Sequence, residues 1–596
     1  MEGFLQDNGL PLQIKREIQE LVKVAKGEVP ADLVLHNGRL VDVYTGEILD
    51  GYSVAIKGEK ISCIGKDLRY TIGADTEIIE LDGMFILPGL IDAHTHMLMY
   101  SPVHEVVRYA IKGGTTTIIT EAIELGFPYG ISGIESFLDW ISNQPVKIYS
   151  TIPVMHSISP SSKKRAISVL ELKRLLNREN VLGLGETIWN CILNEDERTY
   201  EFIAQTLSMR KIVEGHGAGA KERTLCAFAS SGISSCHEST NTSDVLNRLK
   251  LGLYAMIREG DIRKELSETA EIARMNLDLR RCILVSDGLA PKTLIKGYMN
   301  RIVQKAIELG FPPVKAIQMV TLNPAEHLRL DHLIGGIAPY RYADVVVTPD
   351  IKRIVPEFVV SNGSVVLREG SVVAECRIPS YLKSRFSSIN LPSIKPTDFS
   401  ISCKDKDIER IKARVIYLIS PLVTKEKVYE FVVKNGQVEA DPQKDILKVA
   451  ALTEVDGQVK KFVGFVKGFG LKKGAIATSA VWDACLTLVV GANDTDMAEA
   501  VNRVVNIGGG IAVSKDGKIV SELSMPIGGI MSELPLNEIA EKMSGIQREA
   551  ESLGCTVPDV HLSLSVLTTP YIPFLRLSED GLFDLKEWKK LDLFIR

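Results

Sequence analysis

Two histidines stand one residue apart in the segment PGLIDAHTHM, an apolar run of strand length that ends at His94 and His96. Side chains two positions apart on a strand point to the same side, so two imidazoles placed in this way can bind one cation. An isolated H-x-H pair is weak evidence, because histidines are also common in protein cores. The metal-binding interpretation of the pair is strengthened by other polar residues that also end apolar runs of strand length.

Later apolar runs of strand length also end beside a polar side chain. These residues are Glu186 in GLGE, His216 in VEGHGAG, His237 in SSCHES and Asp287 in LVSDG. In a parallel barrel, side chains at the strand C-termini converge on one face. Imidazoles and carboxylates suit zinc, iron or manganese. We therefore expect two divalent ions, bridged by Glu186 and held by His94, His96, Glu186, His216, His237 and Asp287.

The elements around these residues predict the fold class, which is α/β. Strand-length apolar runs alternate with helical stretches over residues 88–337, a texture that predicts the parallel strands and crossover helices of a β/α barrel. Residues 32–87 and 338–380 carry short alternating strands and turns such as TGE and KGEK, so we expect them to pair into one flanking β-sandwich domain. The barrel is thus predicted to interrupt the flanking domain.

The two ends of the chain complete the predicted organisation. Residues 1–31 form an N-terminal helical segment, and the polar stretch around residues 380–400 reads as a linker. Residues 400–596 again alternate strand-like and helical segments and predict a C-terminal α/β domain. A chain of 596 residues exceeds what one core normally organises, which agrees with several domains.

Composition narrows the class of protein and its partners. A net charge of -5 from 70 basic and 75 acidic residues gives no field that would gather nucleic acid. Nine scattered cysteines without a C-x-x-C pair indicate reduced thiols and a cytoplasmic location. There is no apolar run of about 18 residues, so no membrane partner is expected. A homodimer is the expected oligomeric state.

Longer motifs accompany the polar strand ends: ADLVLHNGRLVDVYTGEI, GTTT, RLKLGLYAMIREG, VVGANDTDMAEAVNRVVNIGGG and ELSMPIGGIMS. Through them the chain resembles the adenine deaminase family of the amidohydrolase superfamily over nearly its whole length. The resemblance implies a distorted TIM (β/α)8 barrel with a flanking β-sandwich domain and a C-terminal extension. It implies a binuclear centre with manganese or iron, or alternatively zinc. It also implies hydrolytic deamination of adenine to hypoxanthine and ammonia.

The resemblance assigns roles to individual residues. Two cations lower the pKa of a bound water, and the resulting hydroxide attacks C6 of adenine. Asp287 then takes the proton of that water and delivers it to the leaving ammonia. Glu238 either holds a ring nitrogen of the substrate or supports a ligand histidine. The further substrate-binding candidates are Glu121, His156, Trp482 and Asp483.

Several segments near the expected substrate differ from the family pattern. Residues 121–124 read EAIE where the family has Asp-Pro-His-Glu, and residues 482–485 read WDAC where it has two histidines around an Asp. Residues 97–100 (MLMY) and 288–290 (GLA) likewise replace more polar family segments. Because unpaired polar groups are costly to bury, a pocket with fewer polar partners discriminates differently between substrates. We expect the substrate pocket to differ from that of the family.

Two alternatives to adenine deamination follow. The same centre could open the cyclic amide ring of an oxidised purine such as xanthine, since that hydrolysis needs the same activated water. In the other alternative, the chain binds a purine without turnover. The retention of all the expected ligands, including Asp287, favours an enzyme.

Overall fold

The computed structural model describes residues 10–382, 386, 389–403, 408–455 and 457–595. Parts of the expected N-terminal segment and linker, residues 1–9, 383–385 and 387–388, therefore lie outside the described residues. The first helix spans Leu10–Ala25 and buries Leu21 and Val24. Its neighbours are strands of the sheet that follows it in the chain.

Nine strands of the described chain form one sheet beside the barrel. The first five are β1 (Leu33–Asp42), β2 (Glu47–Lys57), β3 (Lys60–Gly65), β4 (Glu77–Glu80) and β5 (Phe85–Pro88). Strands that follow the barrel in the chain join this sheet through β5, whose antiparallel partner is Val345–Thr348. Strands from both sides of the barrel thus pair in one sheet, as the predicted fold requires.

Eight parallel strands of the described residues build the barrel. They are β6 (Leu90–Thr95), β7 (Thr115–Glu121), β8 (Lys147–Ile152), β9 (Val181–Ile188), β10 (Ile212–His216), β11 (Ser235–Cys236), β12 (Tyr254–Arg258) and β13 (Cys282–Val285). β6–β10 form one parallel sheet and β11–β13 another. Backbone hydrogen bonds from Ser234 to Val213 and from Asp287 to His94 join the two sheets at both edges. The ring is therefore closed, and the predicted TIM-type barrel is confirmed.

Helices connect the barrel strands and cover their outer side. Within the described residues the longer ones are Val103–Lys112, Gly126–Ile141, Val169–Leu176, Glu197–Ser208, Glu222–Ser230, Thr242–Lys250 and Met299–Glu308. Short helices span Pro160–Lys163, Trp189–Leu193, Leu266–Thr269, Pro291–Leu294, Pro313–Gln318 and Leu322–His327. The barrel strands are almost fully buried because these helices cover their outer faces.

After the barrel the chain returns to the flanking sheet and then enters the C-terminal region. The returning strands are β14 (Val345–Thr348), β15 (Phe358–Ser361), β16 (Ser364–Arg368) and β17 (Ser371–Val372). The domain limits named in the sequence analysis stay predictions.

The C-terminal region centres on a sheet that has eleven strands in the part of the chain that is described. They are Ile401–Ser402, Arg410–Leu418, Thr424–Lys434, Gln437–Val438, Ile446–Val455, Gln458–Lys467, Ala475–Thr478, Thr487–Gly491, Gly510–Lys515, Lys518–Ser524 and Phe594–Ile595. Helices Asp494–Asn506, Leu536–Ser552 and Val560–Ser565 accompany the sheet. Strands Leu575–Ser578, Gly581–Asp584 and Lys589–Leu591 form a separate small sheet. The predicted C-terminal α/β architecture is confirmed.

Among the described residues, no helix is both long and apolar enough to span a membrane.

Candidate metal centre and active site

Four imidazoles surround a single carboxylate oxygen at the C-terminal end of the barrel. Glu186 Oε1 lies 3.0 Å from His237 Nε2 and 3.3 Å from His94 Nε2. The same oxygen lies 3.5 Å from His216 Nδ1 and 3.7 Å from His96 Nε2. Asp287 Oδ1 approaches His94 Nε2 to 3.3 Å. The fold therefore brings together all six residues that the sequence analysis named as metal ligands.

The donor set fits a divalent cation. Ligand atoms of His94, Glu186, His237 and Asp287 lie within 4.8 Å of one another, and all four residues are buried. His94 Nε2 is buried and has no hydrogen-bond partner within the described part of the chain. Because a buried polar atom without a hydrogen bond is costly, this nitrogen is one that could bind a metal ion.

The backbone places Asp287 next to His94. Asp287 has a φ of +57°, in the left-handed region that Asp tolerates better than most residues. Its N–H donates to the carbonyl of His94 at 3.1 Å, and the neighbouring Ser286 N–H donates to Asp92 at the same distance. This turn fixes the end of β13 against β6 and so aims the Asp287 carboxylate at the cluster.

Arg258, which the sequence analysis missed, lies at the centre of a buried ionic network. Its Nη2 donates to Glu238 Oε2 at 3.0 Å and to Glu265 Oε1 at 2.9 Å. Its Nη1 donates to Asp287 Oδ2 at 3.1 Å and also contacts Glu238 Oε1. Only 2% of the Arg258 side chain is exposed. A guanidinium thus ties the candidate base Asp287 to the candidate substrate-binding residue Glu238.

Electrostatics inside this network fix the charge of Glu238. Burial would raise the pKa of Glu238, but Arg258, His216 and His237 together outweigh it and lower this pKa to about 2. Glu238 Oε1 also lies 3.6 Å from ring nitrogens of His216 and His237. Glu238 is therefore an anionic acceptor beside the cluster.

Glu121 lies behind the cluster. Its Oε1 accepts the Glu186 backbone N–H at 3.2 Å and the Thr151 hydroxyl at 2.9 Å. Burial, followed by the charge of Glu186, raises the pKa of Glu121 to about 7. These contacts make Glu121 a support for the Glu186 strand end, and its expected substrate contact stays a prediction.

His156 is directed elsewhere. Its Nε2 lies 3.2 Å from the Thr199 hydroxyl at the start of helix Glu197–Ser208. Burial lowers the pKa of His156 to about 4. His156 is not among the residues that line the cavities described below, and its imidazole, in the loop after β8, contacts Thr199. Its expected substrate contact stays a prediction.

Trp482 and Asp483 reach the barrel mouth from the C-terminal region. The Trp482 ring lies 6.1 Å from the His96 ring, between centroids. Burial raises the pKa of Asp483 to about 7, although the Thr569 hydroxyl donates to this carboxyl and opposes the shift. Both residues line the cavity beside the metal ligands. The geometry thus places two of the four substrate-binding candidates at the site.

Two other residues at the site escaped the sequence analysis as candidates. The Tyr571 carbonyl lies 3.1 Å from His216 Nε2, so the C-terminal region orients a ligand histidine. Glu124 Oε1 lies 3.4 Å from His96 Nδ1. Glu124 lies three residues beyond the end of β7, in the loop that follows the strand.

Two cavities meet at this centre. The smaller, of about 60 Å³, borders the ligands together with Glu238, Arg258 and Tyr571. The larger, of about 250 Å³, lies between the barrel mouth and the C-terminal region. His96, Trp482 and Asp483 line both cavities, which therefore adjoin at these residues.

Comparison with known proteins gives two family matches that agree with this geometry. Residues 85–373 match the family described as "Amidohydrolase family", and residues 421–589 match "Adenine deaminase C-terminal domain". The amidohydrolase match implies a divalent metal, and the cluster of imidazoles and carboxylates lies within the matched residues. The donor set and the family therefore point to the same kind of centre.

Relatives cover almost the full chain. "Adenine deaminase" of Moorella thermoacetica is 35% identical over 584 residues, which is 96% of this chain and 98% of that protein. "Adenine deaminase" of Ruegeria sp. is 33% identical over 583 residues, 96% of each chain. A solved β-aspartyl dipeptidase from Fervidobacterium islandicum AW-1 covers 58% of this chain and 99% of its own, at 17% identity and a TM-score of 0.46.

Proposed function

Because the chain belongs to the adenine deaminase family, we propose that it hydrolyses adenine to hypoxanthine and ammonia. The observation that carries this proposal is the 35% identity to an adenine deaminase over nearly the whole of both chains. The donor cluster, with its carboxylate oxygen shared by four imidazoles, agrees with it. The enzyme is thus a hydrolase that acts on a C–N bond of a small purine.

We further propose that the six clustered side chains hold two divalent ions, manganese or iron in preference to zinc. The central position of Glu186 suits a bridging carboxylate. His237 belongs to two groups of donors, one with His94, Glu186 and Asp287 and one with His216 and Glu238, which suits two ions. When bound, such ions lower the pKa of water and neutralise charge that develops during hydrolysis. The ligand roles are His94, His96, Glu186, His216, His237 and Asp287.

The remaining roles belong to side chains at the edge of the cluster. Asp287 Oδ2 is held by Arg258 while Oδ1 faces the cluster, so this carboxylate is placed to accept a proton from water and to pass it to the leaving nitrogen. Glu238 is anionic and clamped, and it orients the purine through a ring nitrogen. Asp483 closes the opposite wall.

A substrate panel tests the proposed reaction. Protein loaded with Mn²⁺ or Fe²⁺ is incubated with adenine or with xanthine, and ammonia and ultraviolet absorbance are followed together. We expect hypoxanthine and ammonia in equal amounts from adenine and no loss of purine absorbance from xanthine. The family membership favours this outcome over ring opening of an oxidised purine.

The two alternatives predict different readings of the same panel. Loss of xanthine absorbance without ammonia from adenine would replace deamination by cyclic amide hydrolysis. Binding of adenine without any product would support a non-catalytic purine-binding protein. Light scattering of the purified chain tests the proposed homodimer separately.

A further inference from the structure

The larger cavity adjoins the smaller one beside a candidate metal ligand. His96, Trp482 and Asp483 line both cavities and form their junction. Glu238 and Arg258 line the smaller cavity and not the larger one. The larger cavity therefore offers space next to the cluster that a purine held by Glu238 would leave unfilled.

Apolar side chains dominate the inner part of the larger cavity. Leu98, Met99, Phe127, Val481 and Trp482 line it next to His96. Leu98 and Val481 are buried, with exposed fractions of 1% and 8%. A volume of about 250 Å³ exceeds the space that a departing ammonia needs, and its lining suits an apolar ligand group.

Two segments that are far apart in the chain supply much of this lining. The segment after His96, residues 97–100, supplies Leu98, Met99 and Tyr100 to the wall. Residues 482–485 reach the same cavity from the C-terminal region. The barrel and the C-terminal region thus build this cavity together.

Glu124 is one of the carboxylates that line this cavity, and it lies beside His96. Both oxygens of Glu124 are buried and make no hydrogen bond within the described residues. The ion-pair contact of Glu124 is to His96 Nδ1, at 3.4 Å. An acceptor without a donor, placed beside a metal ligand and at the mouth of an apolar cavity, suits the N–H of a departing amine.

We propose that this cavity receives an apolar substituent on the exocyclic nitrogen of the substrate, so that the enzyme prefers 6-(alkylamino)- and 6-(arylalkylamino)purines to adenine. The inference rests on the proposed function, because it uses the same centre and the same bond. Glu124 accepts the N–H of the leaving amine, and the apolar wall holds the group attached to it. The substrate class is therefore an adenine substituted at the amine.

The reaction balances without any further reagent. Water oxygen forms a bond to C6 while the bond from C6 to the exocyclic nitrogen breaks, and the electron pair of that bond leaves with the nitrogen. One hydrogen of the water ends on the leaving nitrogen and the other on the purine ring. The products are hypoxanthine and a primary amine.

Three purines compared on the metal-loaded full chain test the proposal. Adenine, 6-benzylaminopurine and 9-benzyladenine are supplied separately, and the oxopurine products and benzylamine are measured by chromatography. We expect kcat/KM for 6-benzylaminopurine to exceed that for adenine by about tenfold or more, the range that apolar pocket contacts supply. We expect 9-benzyladenine, which carries the same group at the far end of the ring, to be a poorer substrate than adenine.

Variants that fill the cavity sharpen the test. Ala484→Phe and the milder Ala480→Leu enlarge buried residues of the wall, which are 6% and 7% exposed. Each is expected to lower the ratio of kcat/KM for 6-benzylaminopurine to that for adenine by about tenfold. Ala25→Phe, at an exposed position of the first helix, is the matched control and should keep the wild-type ratio.

The outcomes separate this proposal from the proposed function. Hydrolysis of adenine with none of 6-benzylaminopurine overturns the cavity proposal and leaves adenine deamination standing. A preference for 9-benzyladenine, or an unchanged ratio in both filled variants, also overturns it. Failure of adenine and of both substituted purines to yield any oxopurine overturns the cavity proposal and the proposed function together.

Discussion

Replacing Asp287 by Asn is expected to lower kcat for adenine by about a thousandfold, within the range usual for a lost acid–base group. The Asn side chain keeps the size of Asp287 but cannot accept a proton, and it weakens the ionic contact with Arg258. Steady-state kinetics with ammonia detection provide the measurement. Metal content of the variant must be determined in parallel, because Asp287 Oδ1 also faces the cluster.

Asp278→Asn is the matched control for this substitution. Asp278 lies before β13, at the opposite end of that strand from Asp287. Asp278 forms an ion pair with Arg280, and 61% of the Asp278 side chain is exposed. The control should retain wild-type kcat. An Asp287→Asn enzyme that kept its metal and worked within about tenfold of wild type would remove Asp287 from the proton transfer.

Replacing Arg258 by Met is expected to destabilise the fold by about 3–5 kcal/mol and to reduce turnover severely. The substitution leaves the buried carboxylates of Glu238 and Glu265 without their cation, and it releases Asp287. Urea unfolding of the metal-loaded protein gives the change in stability, and kcat/KM for adenine gives the change in function. Arg258→Lys keeps the charge but loses the two-pronged contacts, so its effect on both should be intermediate.

The exposed Arg280 is the control for the buried Arg258. Arg280→Met removes an ion pair with Asp278 in which 75% of the arginine side chain is exposed, so a change below about 1 kcal/mol is expected. If Arg258→Met unfolded at the same urea concentration as Arg280→Met, the buried network would have no structural role.

The polar residues at strand ends were predictable because one rule covers them. In a parallel barrel the strand C-termini share a face, and the donor residues follow apolar runs that are easy to see in the sequence. The same rule would have found Arg258, which ends β12 in the run YAMIR, had cationic residues been considered with possible ligands.

Contacts made by the C-terminal region were harder to predict. The Tyr571 carbonyl meets His216 across 355 positions of the chain, and no local pattern indicates such a pairing. The rule that polar residues at the C-termini of barrel strands share one face does not extend to His156. It lies four residues beyond β8, far enough for the loop to carry its imidazole to Thr199. Tertiary packing decides both positions.

Metal content of the purified chain tests the central claim most directly. Protein loaded with Mn²⁺, dialysed and examined by elemental analysis should retain about two ions per chain, as expected for a two-metal site. Glu186→Gln, which removes the charge at the shared oxygen, should retain about one or fewer. Wild-type protein that kept almost no metal, or a Glu186→Gln variant that kept as much as wild type, would contradict the account of the cluster as a metal centre.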